Sequence, residues 1–274
     1  MNMEGPTLAW ERYHEQTIER NDLDELIVLL KDRAPWSHAM VRHRLLEKYG
    51  GISCDTSFLD AGSGTGKVAL WESAVTGCPA TLFDYSREAL DYSRQVMDAF
   101  QETGGRVRAS FCRGDLKDLP FSGAFDIVCN EGVIEHWEAA EDRLRTVQQM
   151  VKAAKPGGKV FVFVPNESNP YYRRWIKTLE GVPEEWAFTD TELKEVMEKA
   201  GLVNVDVMGI RTYKTFIQYK PIFTGKLKFL AGAMWLLEEL APLWLRRRFA
   251  SKLGHWLAGG GERPVDGTPD AKTL

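Results

Sequence analysis

The sequence predicts an α/β protein built on a doubly wound, mostly parallel sheet. From Ser57 onward, short apolar runs alternate with longer helical patterns, and the runs are SFLDA, ATLFD, VRASF, FDIVCN and KVFVFV. Such alternation is typical of parallel strands joined by helices that cover both sheet faces. A glycine-rich turn within FLDAGSGTGK follows the first run. Because open α/β sheets bind ligands at the carboxyl ends of their strands, we expect the functional site there.

Charge and cysteine usage narrow the class of protein. The 274 residues carry a formal net charge of −4, which argues against a protein that coats a nucleic-acid backbone. The four cysteines form no C-x-x-C pair, so we expect no structural zinc and a reducing environment. The segment MNMEGPTLAWERYHEQ contains three glutamates and no long apolar run. We therefore expect no secretion signal and a cytoplasmic location.

Helical patterns flank the predicted sheet. Apolar residues recur at helical spacing in NDLDELIVLLKD, and a second helix is expected from Ser37 to Tyr49. Thr189 and Glu192 fit a capping box for a later helix that Gly201 ends. We therefore predict a helical cover over residues 1–52 and a sheet domain over 53–219, in which VNVDVM and TYKTFIQ are the closing strands.

The C-terminal residues form two further predicted segments. Residues 220–258 are rich in Leu, Trp, Phe and basic side chains, and their longest apolar run, FLAGAMWLL, is too short to span a bilayer. This helical extension could cap the active site or lie on a membrane surface, and both alternatives stay open. Residues 259–274 are rich in Gly, Pro and polar residues, which predicts a disordered tail.

The spacing of residues in the glycine turn distinguishes three classes of ligand-binding motif. A P-loop needs Gly in place of Ala61 and Ser or Thr in place of Val68, and a dinucleotide fold needs Gly in place of Lys67. An acidic residue, Asp60, followed by G-x-G-x-G resembles instead the first motif of class I S-adenosylmethionine-dependent methyltransferases. The resemblance extends over 10–218, is strongest over 58–166, and implies a seven-stranded sheet with S-adenosylmethionine as cofactor.

The same resemblance implies which residues contact the cofactor. Asp84 ends the second strand, where relatives bind the ribose hydroxyls, although Asp84 could also cap the next helix. Asp115 and Leu116 would contact the adenine, although Asp115 could also be a turn former. The full predicted set is Tyr13, Asp60, Gly62, Ser63, Gly64, Gly66, Asp84, Tyr85, Asp115, Leu116, Asn130 and Glu131.

Two residues after the fourth strand are candidates for catalysis. His136 is suited to take a proton from a hydroxyl acceptor, and Glu135 could orient its ring. His136 could equally be a structural element of a helix start. Some quinone-pathway O-methyltransferases place a metal on a Glu-x-x-Glu-His cluster here, but Gly132 replaces the first glutamate. We therefore predict no required metal.

The acceptor pocket is predicted after the fifth strand, where polar and basic residues follow. Its candidates are Asn166, Tyr171, Tyr172, Arg173 and Arg174, which could also form an ordinary exposed loop. The sequence thus predicts a methyltransferase for a small-molecule or lipid-like acceptor, methylating O or N more readily than C, with no nucleic-acid partner and with peripheral membrane contact through 220–258 as an option. The rival functions are a catalytically silent scaffold and a peripheral membrane-binding protein.

Overall fold

The computed structural model describes residues 23–172, 185–211 and 228–265. Two helices precede the sheet, α1 (Leu23–Lys31) and α2 (His38–Leu45), and a π-helical turn over Leu46–Gly50 continues α2. The hydroxyl of Ser37 accepts a hydrogen bond from the backbone N–H of Met40 and so begins α2. Both predicted N-terminal helices are therefore present.

Seven strands form one sheet, which confirms the predicted fold class. The strands are β1 (Phe58–Ala61), β2 (Pro79–Asp84), β3 (Arg108–Arg113), β4 (Phe125–Glu131), β5 (Ala154–Pro165), β6 (Val203–Ile210) and β7 (Trp256–Glu262). Their spatial order is β3-β2-β1-β4-β5-β7-β6. Strands β1 to β5 are parallel, whereas β7 runs antiparallel to both of its neighbours. The carboxyl ends of β1, β2 and β4 therefore meet at one edge.

Helices cover both faces of the sheet. They are α3 (Lys67–Thr76), α4 (Arg87–Glu102), α5 (Ala140–Ala153) and α6 (Asp190–Lys199), followed by α7 (Lys228–Leu240) and α8 (Leu243–Leu253). The capping box predicted at Thr189 and Glu192 begins α6. Consecutive residues of a strand point to opposite faces, so Phe58 and Leu59 belong to two separate apolar cores. The sheet is thus buried on both sides, as a parallel sheet requires.

The predicted tail over 259–274 is wrong for residues 259–262. These residues belong to β7, which pairs with β5 on one side and β6 on the other. Glycine-rich segments ordinarily weaken strands, but here the glycines make room for neighbours. A Cβ on Gly259 would lie 2.5 Å from the sulfur of Met197, and a Cβ on Gly261 would lie 3.1 Å from the Cβ of Leu202. The other predicted closing strand, TYKTFIQ, lies outside the described residues, and β7 completes the sheet.

The C-terminal extension predicted over 220–258 is helical in α7 and α8, but its last residues, 256–258, belong to strand β7, so the prediction is wrong there. Helix α8 lies against β6, and the guanidinium of Arg247 on α8 pairs with the carboxylate of Asp206 on β6 at 2.7 Å. On α7, the ring of Trp235 lies under the guanidinium of Arg44 from α2, 5.1 Å away. Among the helices of the described ranges, none is long and apolar enough to cross a bilayer. The extension therefore packs on the edge of the sheet and on the N-terminal cover.

Replacement of Gly259 by leucine tests the packing of β7 against α6. We expect Gly259→Leu to lower the free energy of unfolding by about 1–3 kcal/mol, because the new side chain overpacks the contact with Met197 and Leu193. Lys194→Leu on the exposed face of α6 is the control and should change stability by less than about 0.5 kcal/mol. Denaturant unfolding measures both variants. Equal stability of Gly259→Leu and wild type would contradict the placement of β7.

Candidate active site

The glycine turn between β1 and α3 presents bare backbone to the sheet edge. Gly62, Gly64 and Gly66 have φ angles of 86°, 49° and 78°, which favour glycine because a Cβ crowds this region. A Cβ on Gly62 would also lie 2.6 Å from a methyl carbon of Val133. The turn therefore requires glycine both for its backbone conformation and for its close packing against Val133.

The side chain of Asp60, near the end of β1, contacts the helix that follows this turn. Its side chain is buried, and Oδ2 accepts a hydrogen bond of 3.1 Å from the backbone N–H of Ala69 in the first turn of α3. Burial raises the pKa of Asp60 to about 7, although the hydrogen bond from Ala69 and the charge of Arg42 act in the opposite direction. The acidic residue of the motif thus fixes the start of α3 relative to β1.

Asp84 is held against the glycine turn. Its carboxylate is 4% exposed; Oδ2 accepts a hydrogen bond from the backbone N–H of Gly64 at 2.8 Å, and Oδ1 accepts one from Ser86 at 2.9 Å. Ser86 is the residue that caps α4, through a bond from the N–H of Ala89. The alternative of Asp84 as the helix cap is therefore wrong. The next residue, Tyr85, is half-buried and accepts a bond from the side chain of Arg113 through its carbonyl oxygen.

Asp115 and Leu116 follow β3 on the same edge. The Asp115 side chain is exposed and accepts a hydrogen bond of 2.8 Å from the N–H of Lys117, which begins a 3₁₀ turn over Leu116–Asp118. The side chain of Leu116 is buried, and its Cδ1 would lie 3.2 Å from a Cβ on Gly62. Asp115 thus caps this turn, Leu116 lies beside the glycine turn, and the predicted contact of both with the adenine stays a prediction.

Two buried polar atoms at this edge lack a protein partner. Asn130, near the end of β4, donates a hydrogen bond to the carbonyl of Ala61, but its Oδ1 has no hydrogen-bond partner within the described ranges. The hydroxyl of Ser63 is also buried without a hydrogen-bond partner in those ranges. A buried polar atom without a partner costs about 1–3 kcal/mol. Both atoms are therefore candidates for hydrogen bonds with a ligand.

A network of buried charges fastens the N-terminal helices to this edge. Arg42 of α2 donates from Nε to Glu72 of α3 at 3.1 Å and from Nη1 to Glu131 of β4 at 3.0 Å. His38 lies 3.0 Å from Glu131 through Nε2, and His43 lies 2.8 Å from Glu72 through Nδ1. Glu72 is 0% exposed. The Nη2 atom of Arg42 is buried and has no hydrogen-bond partner in the part of the chain that the structure describes.

The network fixes the charges of its members. Burial would raise the pKa of Glu131, but His38 and Arg42 outweigh burial and hold that pKa well below its ordinary value. Burial would lower the pKa of Arg42, but Glu131 and Glu72 hold it above its ordinary value. Burial lowers the pKa of His38, whose Nδ1 lies 2.6 Å from the guanidinium of Arg211. His38 is therefore neutral, with its proton on Nε2 facing Glu131.

A cavity of about 150 Å³ lies between the N-terminal helices and the glycine turn. Its polar lining comes from Ser37, His38, Arg42, Thr65, Lys67 and Glu131, among others. Burial lowers the pKa of Lys67. Arg42 and Lys67 were not among the residues predicted from the sequence. Lys67 follows the glycine motif directly and could have been found from that position, but Arg42 carries no local signal.

The predicted catalytic residues lie in a 3₁₀ turn over Ile134–His136, just after β4. His136 is half-buried, and its backbone N–H bonds to the carbonyl of Val133. The carboxyl of Glu135 is buried and interacts with the backbone amides of Glu135 and Val133. The orienting role of Glu135 stays a prediction. A proton-accepting role for His136 stays a prediction.

The predicted acceptor residues separate into two groups. Asn166 is buried and donates to the carbonyl oxygens of Ser251 and Gly254, so it joins the end of β5 to the end of α8; its contact with an acceptor stays a prediction. Tyr172 is buried, and its hydroxyl donates to the carboxylate of Glu185. Tyr171 is half-buried beside it. Arg173, Arg174 and the cofactor candidate Tyr13 lie outside the described residues.

The sheet order, the glycine turn after β1 and the buried acid at the end of β2 define the class I methyltransferase fold. The chain matches the family model described as Methyltransferase domain over residues 31–207, more than half of its length. It belongs to this family of S-adenosylmethionine-dependent methyltransferases, and the resemblance noted in the sequence is confirmed.

Several known proteins are similar to the chain. The glycine/sarcosine/dimethylglycine N-methyltransferase of Actinopolyspora halophila is 26% identical over 200 residues, which cover 69% of this chain and 32% of that protein. A protein of Mus musculus named as probable tRNA methyltransferase 9B is 30% identical over 108 residues, which cover 38% of this chain and 21% of that protein. The chain spans less than two thirds of the length of the curated relatives that it matches.

A solved structure shares the fold. Phosphoethanolamine N-methyltransferase 2 of Haemonchus contortus, in complex with S-adenosyl-L-methionine, superposes with a TM-score of 0.54 and 18% identity, covering 82% of this chain and 52% of that one. The cofactor of this family fits the residues found here. Within the described residues, the hydroxyl of Ser63, Oδ1 of Asn130 and Nη2 of Arg42 are buried without a hydrogen-bond partner and could contact it.

The raised pKa of Asp60 predicts a pH-dependent effect on stability. The folded protein holds the proton up to about pH 7, whereas the ordinary pKa is 3.8. The favourable contribution of the protonated form is therefore complete below about pH 4 and is lost as pH rises through about 7. Relative to wild type, Asp60→Asn should gain about 2–4 kcal/mol between about pH 4 and pH 8.

Urea unfolding at several pH values measures this difference. Asp118→Asn, at an exposed carboxylate, is the matched control and should show a difference from wild type that varies little with pH. A stability difference between Asp60→Asn and wild type that stays constant with pH would contradict a protonated Asp60.

Proposed function

We propose that this protein transfers a methyl group from S-adenosylmethionine to a small-molecule acceptor. The observation that carries the proposal is the enclosure of the site: α1 and α2 lie over the glycine turn and are fastened there by the buried ion pairs of Arg42 with Glu72 and Glu131. An enclosed site suits an acceptor that can enter whole, and it excludes water from the reacting groups.

Charge favours a small acceptor over a nucleic acid. The formal net charge is −4, and binding of a nucleic-acid backbone draws its affinity from many Lys and Arg contacts with phosphates. Relatives with printed activities on glycine derivatives and relatives named for tRNA are both among the matches. Methylation of bulk tRNA by the purified protein, with no small acceptor methylated, would favour the nucleic-acid alternative.

The chain's own residues suggest how the cofactor is held. We assign the ribose hydroxyls to Asp84, the adenine to the surroundings of Leu116, and the methionine end to Asn130, Arg42 and Lys67. A carboxylate is the natural partner of the unpartnered guanidinium nitrogen of Arg42. The bound cofactor supplies a methyl group on a positively charged sulfur, which is already a good electrophile. The protein's remaining task is to align the acceptor and exclude water.

Exposed apolar side chains support two other predicted options, membrane contact and a lipid-like acceptor. The exposed side chains of Leu236, Leu237 and Leu240 on α7, together with Phe249 on α8, would suit peripheral contact with a membrane. They would also suit a lipid-like acceptor that is delivered from one. Cytoplasmic location is part of the same proposal and rests on the composition of the sequence alone.

Cofactor binding is tested by titration of the protein with S-adenosylhomocysteine. We expect saturable binding to wild type and a loss of about 1–3 kcal/mol in Asp84→Asn, because the variant lacks a charged acceptor for the ribose hydroxyls. Asp98→Asn, at an exposed carboxylate of α4, is the matched control and should bind as wild type does. Absence of binding to wild type would refute the proposed activity, and an unchanged affinity in Asp84→Asn would refute the ribose assignment.

A further inference from the structure

Two carboxyl groups meet on the acceptor side of the site. Glu135 lies in the 3₁₀ turn after β4. Glu185 lies three residues before Phe188, which forms a β-bridge with Asn166, the residue that follows β5. The backbone N–H of Trp186 donates to the carbonyl of Glu135 at 2.6 Å. This bond brings the two glutamate-bearing segments together at the carboxyl edge, where the cofactor-binding turn also lies.

Glu135 has a buried oxygen that the protein leaves without a partner. The residue is 2% exposed, and its Oε2 has no hydrogen-bond partner among residues 23–172, 185–211 and 228–265. The other oxygen, Oε1, lies beside the main chain of Gly132, where a Cβ would be 3.8 Å from Oε1 and 3.5 Å from the ring of Trp256. Because an unmet buried polar atom is costly, Oε2 points to a ligand that forms a hydrogen bond with it.

The surroundings of Glu135 are negative. Burial raises the pKa of its carboxyl well above the ordinary value, and the neighbouring carboxylates of Glu185 and Glu131 raise it further. Burial also raises the pKa of Glu185, although the hydrogen bond from the Tyr172 hydroxyl acts in the opposite direction. The guanidinium of Arg143 is stacked over the ring of Trp186 at 4.6 Å. A ligand that donates hydrogen bonds and carries positive charge would relieve both carboxyl groups.

We infer that the methyl acceptor is an amine, whose nitrogen hydrogen-bonds to Oε2 of Glu135 and is flanked by the carboxylate of Glu185. This inference rests on the proposed function and specifies its substrate class. Tyr172 acts as a positioning residue, because its hydroxyl holds the carboxylate of Glu185. Glu135 is the acceptor-binding residue.

The chemistry of an amine acceptor gives Glu135 a defined task. An alkylammonium ion has no free lone pair, so its nitrogen must lose one proton before transfer. In its carboxylate form Glu135 accepts this proton; when Glu135 already holds a proton, the acceptor binds as the neutral amine and its proton is released to solvent. The nitrogen lone pair then forms the bond to the methyl carbon. The bond between that carbon and sulfur breaks, and its electron pair remains on sulfur. The product is a methylated ammonium ion and a neutral thioether.

Matched acceptors test the inference on the full-length protein. Phenethylamine is compared with 2-phenylethanol, and ethanolamine with ethylene glycol, with formation of S-adenosylhomocysteine as the readout. We expect the amine of at least one pair to be methylated about 100-fold faster than its matched alcohol. Calorimetry on the protein loaded with S-adenosylhomocysteine should show the same preference in binding, and this second readout does not require turnover.

Variants of Glu135 and Glu185 test which residues cause the preference for an amine. Glu135→Gln should lower kcat/KM for the amine by about 100-fold or more, with affinity for S-adenosylhomocysteine within about twofold of wild type. Glu185→Gln should act mainly on KM, by about tenfold. Glu198→Gln, on the exposed face of α6, is the matched control and should retain wild-type kinetics.

Three results would overturn the inference while leaving the proposed function intact. They are preferred methylation of alcohols or phenols through His136, a Glu135→Gln variant that retains amine turnover, and wild type that binds S-adenosylhomocysteine but no amine of the panel. A wild-type protein that does not bind S-adenosylhomocysteine at all would instead refute the proposed function, so the two failures are distinguishable.

Discussion

The buried guanidinium of Arg42 is the interaction on which the site depends. It joins α2 to Glu72 of α3 and to Glu131 at the end of β4, and it is almost fully buried together with Glu72. Removal of one partner from such a buried pair costs about 3–5 kcal/mol, since the remaining charge stays buried. The cover of the active site, the helix after the glycine turn and the strand that carries Asn130 are therefore held as one unit.

Local signals in the sequence were sufficient for the core of the fold and for the position of the glycine turn. The apolar runs predicted five parallel strands because buried strands of a parallel sheet are continuously apolar. The glycines at positions 62, 64 and 66 required positive φ angles that the structure has. The capping box of α6 is likewise a signal carried by a few adjacent residues. Asp84 could be placed because its position follows from strand length and the order of motifs.

Nonlocal packing decided what the sequence did not reveal. The glycines of β7 led to the prediction of a disordered tail. No local pattern in 259–262 indicates the contacts with Met197 and Leu202 that leave no room for side chains there. Arg42 meets Glu131 across 89 positions of the chain, and no spacing rule connects them. The amide of Asn166 donates to carbonyl groups at the end of α8, a contact that no local pattern predicts. The acidic environment of Glu135 depends on Glu185, which only the folded chain brings near.

The most direct test of this account is a crystal structure of the protein with S-adenosylhomocysteine bound. The account predicts the ribose hydroxyls on the carboxylate of Asp84, the adenine beside Leu116, and the amino-acid end in contact with Asn130 and the free nitrogen of Arg42. Glu135 should lie on the sulfur side, facing the space for an acceptor. Ligand density elsewhere, such as in the groove lined by Tyr49, Met208 and the glycines of β7, with the glycine turn unchanged, would contradict it.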